Sequence, residues 1–395
     1  MKTETSERTA RIHMPPLHSI MNRVREMRST GQEVYSMAQA VPWYGPPEQA
    51  VEAVKQAMDR KSFHLYGPDP GHLSTRAALA GEIKRRRGID IDPQRELHLT
   101  CGASQAFVSA LLAVADPGDR AIVLEPYYFD HVFAIQFSSL VLDSIPMVED
   151  SGWTVPWEIL EQRVPGAKVM VLVNPGNPTG AVLSEEELRR IVKLTGENNC
   201  TLIIDETYEQ FNFTGSSHHP WMESKQDHVL TLGSFSKSFS LSGWRLGYLF
   251  GADHILTQAL KVQDSVVICP STPGQMLLEE CLNLEGWVEK RSEEVRYRLD
   301  LCRDAMEKAE GLEWRKAGGG FFTLAKTPDT IDAYALAEHL ISKYSIAAIP
   351  GDAFGSSGRH HLRFSFGCLS DEELVPAMSA LATVNLDGSA LSKAF

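Results

Sequence analysis

Residues 234 to 247 read Ser234-Phe235-Ser236-Lys237-Ser238-Phe239-Ser240-Leu241-Ser242-Gly243-Trp244-Arg245-Leu246-Gly247, one lysine and one arginine set among hydroxyls and small residues. On either side, His228 to Gly233 and Leu246 to Gly251 have the length and apolar content of short buried strands, so Lys237 is expected on the loop between them. Loops at strand ends are where catalytic side chains commonly stand. Ser234, Ser236 and Arg245 offer donors for phosphate oxygens, and Lys237 offers an amine for a carbonyl. A polar surface loop would have the same composition, so this segment alone does not separate the two.

Outward from that loop, strands alternate with helices. Leu97 to Thr100, Ala121 to Leu124, Leu140 to Ile145, Lys168 to Val173, Leu202 to Ile204 and Val229 to Leu232 read as strands. Ala103 to Ala115, Tyr128 to Phe137 and the segment opened by the capping box Ser184-Glu185-Glu186-Glu187 read as helices. The alternation predicts an α/β fold, a mostly parallel sheet sandwiched by helices, with ligands at the carboxyl ends of the strands. From Glu289 the character changes to a long charged helix reaching Glu310. Short strands follow around Phe321 to Leu324 and His361 to Phe366, then a last helix capped by Ser370 with Glu373. These features divide the chain into an N-terminal arm with part of a small domain (1–47), a large cofactor-binding domain (48–288) and a C-terminal small α+β domain (289–395). In the arm, Pro15-Pro16 precedes a helix expected over Leu17 to Met27, and such arms commonly rest on a partner subunit.

Composition narrows the function classes. A hydrophobic fraction of 43% and a charged fraction of 23% are those of a globular protein with a sizeable core. The formal net charge of -13 and a pI near 5.5 argue against a nucleic-acid partner, which favours a basic face. Lys84-Arg85-Arg86-Arg87, the one basic run, is expected to be a solvated helix end whose charges suit the macrodipole. Six scattered cysteines show no CxxC and no metal-like spacing to histidine, so no metal is expected. With no apolar leader at the start and no run of membrane-spanning length, a cytoplasmic protein without membrane contact is expected. No strand is followed by GxGxxG, which argues against a nicotinamide dehydrogenase.

Three further strand exits bear on Lys237. Thr100-Cys101-Gly102-Ala103-Ser104 takes a strand through glycine into a helix, pointing free N–H groups at an anion. Asn174-Pro175-Gly176-Asn177-Pro178 sets two Asn-Pro pairs in a rigid turn and presents Asn177. Ile204-Asp205-Glu206-Thr207-Tyr208 brings a carboxylate out of an apolar strand, where it requires a cationic or hydrogen-bonding partner.

Together with Lys237 these motifs resemble the class I/II aminotransferases, pyridoxal 5'-phosphate enzymes of the aspartate aminotransferase fold, in order and spacing from about Pro42 to the final helix. The resemblance implies that Lys237 forms the Schiff base with the cofactor, that Asp205 pairs with the pyridine nitrogen, and that Asn177 and Tyr208 hydrogen-bond the ring oxygen. It implies a phosphate site built from Gly102, Ala103, Ser104, Ser234, Ser236 and Arg245, with Tyr128 stacked on the ring. Tyr66 would reach the neighbouring subunit's phosphate, which implies a homodimer with shared sites. Arg363 would clamp the substrate α-carboxylate alongside Asn177, and Ala40 and Trp43 would wall the substrate pocket. Ser240 stands where the family often has glycine. Aspartate-type members take a second arginine from the partner, and Val267 to Pro273 contains none. An amino donor with an uncharged, aromatic or sulfur-containing side chain is therefore expected, with a 2-oxo acid as acceptor. The alternative outcome on the same cofactor is a lyase, a cyclase, or an enzyme that eliminates or substitutes at the β or γ carbon.

Overall fold

Six of the seven strands in the central sheet run the same way. The computed structural model describes residues 5–386 apart from 13, 16, 151, 216 and 217, so Pro16 of the expected helix break lies outside the described residues. The strands are β1 (Leu97–Thr100), β2 (Arg120–Glu125), β3 (Val141–Pro146), β4 (Val169–Val173), β5 (Thr201–Asp205), β6 (Val229–Ser234) and β7 (Gly247–Phe250). Their order across the sheet is β1-β7-β6-β5-β4-β2-β3, and only β7 is reversed, antiparallel to both of its neighbours. Val169-Met170-Val171-Leu172 and Leu202-Ile203-Ile204 are buried on both faces, which is why these strands are continuous apolar runs rather than alternating ones. Two separate cores cover the faces. One gathers Leu172, Leu202, Phe235 and Phe250, and the other Phe107, Ile135, Ile203 and Leu232.

The order doubles back between β2 and β4. The chain leaves β2 for the sheet edge at β3 and returns on the other side of β2, and that switch point is where a doubly wound sheet opens its ligand crevice. Val173 and Asp205 are register partners at the ends of β4 and β5, so the Asn174 turn and the Asp205 exit meet at one level.

A third core joins the two ends of the sequence. Helix Leu17–Ser29 contributes Ile20 and Val24 to a cluster with Val295, Leu336, Phe364 and Leu381. Tyr35–Ser36 pairs in parallel with Ile346–Ala347, and the Ser365 N–H donates to the Met37 carbonyl at 2.7 Å. An antiparallel sheet of Ile349–Pro350, His361–Ser365 and Phe322–Lys326 completes this part. The charged helix runs Trp287–Met306, starting two residues before the expected Glu289 and ending four before Glu310.

Two sequence expectations require correction. The basic run is not a solvated helix end throughout, because Arg87 is buried and makes a bidentate pair with buried Glu206 (2.6 and 3.0 Å), while Arg86 pairs with Glu209. Helix Leu73–Arg87 points its last turn at the β5 exit, and an acidic strand end demands cations there. Lys237 is also not on a loop. Residues Phe235–Ser238 form a single helical turn, its start capped by the Ser234 side chain accepting the Ser236 N–H at 3.1 Å.

Candidate active site

The exits of β2, β4, β5 and β6 and the start of helix Ala103–Val114 surround a cavity of ≈ 270 Å³ lined by Ala103, Ser104, Tyr128, His131, Asn177, Asp205, Thr207, Tyr208, Ser234, Ser236, Lys237 and Arg245, among others. Gly102 is the helix N-cap, at φ 84° and ψ 169°, a region open essentially to glycine alone. A Cβ at Gly102 would stand 2.6 Å from Arg245 Nη2, so the missing side chain leaves a cradle that the guanidinium overlooks. Arg245 itself has φ 56°, and its Nη1 donates to the Ser242 carbonyl at 3.0 Å. Ser240 stands at φ 57°, a left-handed conformation that favours glycine. The start of helix Ala103–Val114, Ser104, Ser234, Ser236 and Arg245 thus present N–H, hydroxyl and guanidinium donors to one cavity.

Asp205 lies at the other end of the cavity. Its Oδ1 accepts the Thr207 N–H at 2.9 Å, and its Oδ2 lies 3.2 Å from His131 Nε2. His131 is the partner that the apolar strand exit demanded, and no sequence motif had singled it out. It sits two residues beyond Phe129 on helix Phe129–Phe137, where it reads as an ordinary helix residue, its ring tilted by 33° against Phe107 with centroids 4.1 Å apart. A ring nitrogen that required a proton would find Asp205 as its counter-charge.

Burial above all, joined by the charges of Arg363 and Arg245 and opposed by Asp205, brings the Lys237 amine down from 10.5 to about 8. Its Nζ lies 5.8 Å from the centroid of the Tyr208 ring. Burial pushes the phenols of Tyr208 and Tyr128 up, with the Asp130 carboxylate adding to the effect at Tyr128, so both hydroxyls remain donors. The Tyr128 hydroxyl donates to Asp130 Oδ2 at 2.6 Å.

Arg363 is 3% exposed and pairs with no carboxylate among the described residues. Its Nη1 donates to Asn177 Oδ1 at 3.1 Å, its Nη2 donates to the Ala38 carbonyl at 2.6 Å, and its Nε is buried without a partner. A guanidinium only donates, so Asn177 must turn its oxygen toward Arg363 and its amide hydrogens elsewhere. Phe354 and Phe322 flank the guanidinium, 4.9 and 5.6 Å from their ring centroids.

The predicted substrate-wall residues Ala40 and Trp43 lie outside this lining, as does Tyr66, expected to reach a neighbouring subunit's phosphate. Ala40 packs on the third core, Trp43 is pressed on the Arg298 guanidinium at 3.5 Å, and Tyr66 is 81% exposed on the surface. Tyr44, beside Trp43, donates its hydroxyl to the Lys237 carbonyl at 2.6 Å.

Residues 32–381 match the family described as aminotransferase class I and II. The chain belongs to that family. An aromatic aminotransferase of Arabidopsis thaliana is 32% identical over 95% of both chains, and an aspartate/prephenate aminotransferase of Thermus thermophilus is 30% identical over 91% of this chain and 93% of its own. Among solved structures, a Thermus thermophilus aspartate aminotransferase with maleate superposes with a TM-score of 0.89 at 27% identity, covering 96% of this chain and 99% of the other. The aromatic aminotransferase of Pyrococcus horikoshii gives 0.84 at 27% identity, covering 94% and 99%. This aminotransferase has the aspartate aminotransferase fold, depends on pyridoxal phosphate, and moves an amino group between an amino acid and a 2-oxo acid. Among the described residues no helix is long and apolar enough to cross a membrane.

Proposed function

We propose that this aminotransferase takes its amino group from a donor with an uncharged, aromatic or sulfur-containing side chain, using Arg363 to hold the α-carboxylate. The buried Arg363 carries the reading. A guanidinium with an unpaired Nε and no carboxylate in contact is costly to bury unless a ligand supplies the anion. The donor class is supported by the segment after helix Asp253–Val267, where an arginine would read a second carboxylate. That segment presents Ile268 instead, 41% exposed and at φ 66° and ψ -75°. The Cys269 N–H closes a γ-turn onto the Val267 carbonyl at 2.8 Å, a strained geometry for a β-branched residue. Two of the relatives are named for aromatic substrates and others for aspartate, so the family admits both.

In this reading pyridoxal phosphate, when bound, supplies the electron sink at the substrate's α-carbon. The phosphate would rest on Gly102, Ala103, Ser104, Ser234, Ser236 and Arg245. Asp205, held by His131 and the Thr207 N–H, would keep the ring nitrogen protonated, and Tyr128 would cover the ring. Asn177 and Tyr208 would donate to the ring oxygen. Lys237, neutral in a large fraction of molecules near pH 8, would carry the proton at the α-carbon as general base and acid. Tyr66 would serve a neighbouring subunit, which makes the working form a homodimer in the cytoplasm. Its high exposure in the single chain and the six free thiols suit that assignment.

Purified enzyme given an amino acid and no 2-oxo acid should stop at pyridoxamine phosphate with one equivalent of keto acid. Ammonia or a cyclic product would move the assignment to elimination or cyclisation. A panel of donors, scored by loss of the cofactor's visible absorption, tests the side-chain class, and aspartate as the best donor would overturn it. Lys237→Ala should remove that absorption.

A further inference from the structure

This inference rests on the reading of Lys237 as the cofactor lysine. Lys237 stands in a helix of one turn, Phe235–Ser238, and one turn does not hold itself in water. Its last carbonyls have no helical donors of their own. The Phe235 carbonyl accepts the N–H groups of Phe239 and Leu241 at 3.3 and 3.1 Å. The carbonyls of Lys237 and Ser238 are held by side chains instead. Tyr44 donates its hydroxyl to Lys237 at 2.6 Å, and the Trp287 indole N–H donates to Ser238 at 3.2 Å.

These two donors come from distant parts of the chain. Tyr44 belongs to the loop before helix Glu48–Ala57, and Trp287 is the first residue of helix Trp287–Met306. Their rings meet edge to face with centroids 6.3 Å apart. The Arg291 guanidinium covers both, 4.9 Å from the Tyr44 centroid and 4.5 Å from that of Trp287. On the far side Trp43 meets Tyr44 edge-on at 4.9 Å and is itself backed by Arg298. Aromatic packing alone would be satisfied by phenylalanine at position 44. A buried hydroxyl is instead committed to an acceptor, and it takes the carbonyl of the residue whose side chain faces the cavity.

We propose that Tyr44 is a positioning residue for Lys237, acting with Trp287 as a two-point clamp that fixes the backbone from which the catalytic amine projects. The clamp has a chemical consequence. It keeps the amine in surroundings that disfavour its charge, desolvated and near two arginines. Released from the clamp, the Lys237 nitrogen, which in the holoenzyme is that of the Schiff base, can retreat from those cations, and its proton affinity rises.

The test uses the holoenzyme. The cofactor's visible absorption is titrated against pH for the wild type, Tyr44→Phe and Trp287→Phe, with Lys237→Ala alongside. Tyr44→Phe keeps the ring and its stacking, so its thermal midpoint should stay close to that of the wild type. The midpoint of its absorption titration should rise, by about threefold to tenfold in proton affinity, the range for one lost hydrogen bond. kcat should fall by about the same factor with the donor KM unchanged within about twofold. Trp287→Phe should shift the titration in the same direction. An unchanged titration in Tyr44→Phe overturns the proposal, as does a loss carried wholly by KM. If Tyr44→Phe failed to fold, Trp287→Phe would decide by the same readout. Absorption that survives Lys237→Ala would instead refute the reading of the site, which separates the two failures.

Discussion

The depressed Lys237 amine makes a prediction that can be checked without turnover. With a value of about 8 rather than 10.5, the neutral fraction at pH 7 is roughly 300-fold higher than for an ordinary lysine. Protein freed of cofactor is labelled briefly with acetic anhydride at a series of pH values, and the peptide holding Lys237 is quantified by mass spectrometry against surface lysines. Labelling of Lys237 should rise about tenfold per pH unit and level off near pH 8, where surface lysines are still rising. The neighbours fix the signs of two further shifts. Arg363 lowers the amine, so Arg363→Gln should move the plateau to higher pH, while Asp205 raises it, so Asp205→Asn should move it lower. For stability the sign follows from linkage. Between pH 8 and 10.5 the unfolded chain keeps the Lys237 proton that the folded chain has lost, so this group's contribution to stability is least below pH 8 and grows as pH rises from 8 to 10.5. A Lys237 profile that tracks the surface lysines, or an Arg363→Gln variant that shifts downward, would refute the electrostatic account.

Three other substitutions probe separate parts. Gly102→Ala forces a side chain into a glycine-only conformation and to within 2.6 Å of Arg245, so cofactor affinity should fall by about tenfold or more while folding persists, measured by equilibrium dialysis. Arg363→Lys keeps the charge but loses the two-pronged donor, and kcat/KM for amino acids should drop about 10- to 100-fold, with little effect on amines that lack a carboxylate. Glu206→Ala strands the buried Arg87 and should cost about 3–5 kcal/mol in urea unfolding, and adding Arg87→Met should recover most of it.

The sheet was legible because parallel strands buried on both faces appear as bare apolar runs, and Val169-Met170-Val171-Leu172 cannot be much else. Legibility at the site followed the same logic. Gly102, Asn177, Asp205 and Lys237 each stand at, or within a few residues of, the end of a strand, so chain order carried them to one edge. What the sequence hid were partners that arrive by packing. His131 reaches Asp205 from the first turn of a helix, Arg87 reaches Glu206 from the end of another, and Tyr44 reaches Lys237 across nearly two hundred residues. No local pattern marks such residues, because their role depends on where the helix lies and not on its own periodicity. The one-turn helix under Lys237 was missed for a related reason. Four residues are too few to show a period, and the turn persists through tertiary donors.

Charge around Lys237 also shows how one amine can serve two tasks. Two arginines and desolvation keep it neutral enough to attack a carbonyl, and Asp205 limits the shift. A substrate carboxylate seated on Arg363 would neutralise one of the lowering charges. The amine's proton affinity would then rise at the moment it is asked to take a proton from carbon, which strengthens it as a base. The same cation would thus select the substrate and release a restraint on the lysine. This link depends on Arg363 having no carboxylate partner among the described residues, because a permanent counter-ion would hold the lysine in a single state whether or not substrate was present.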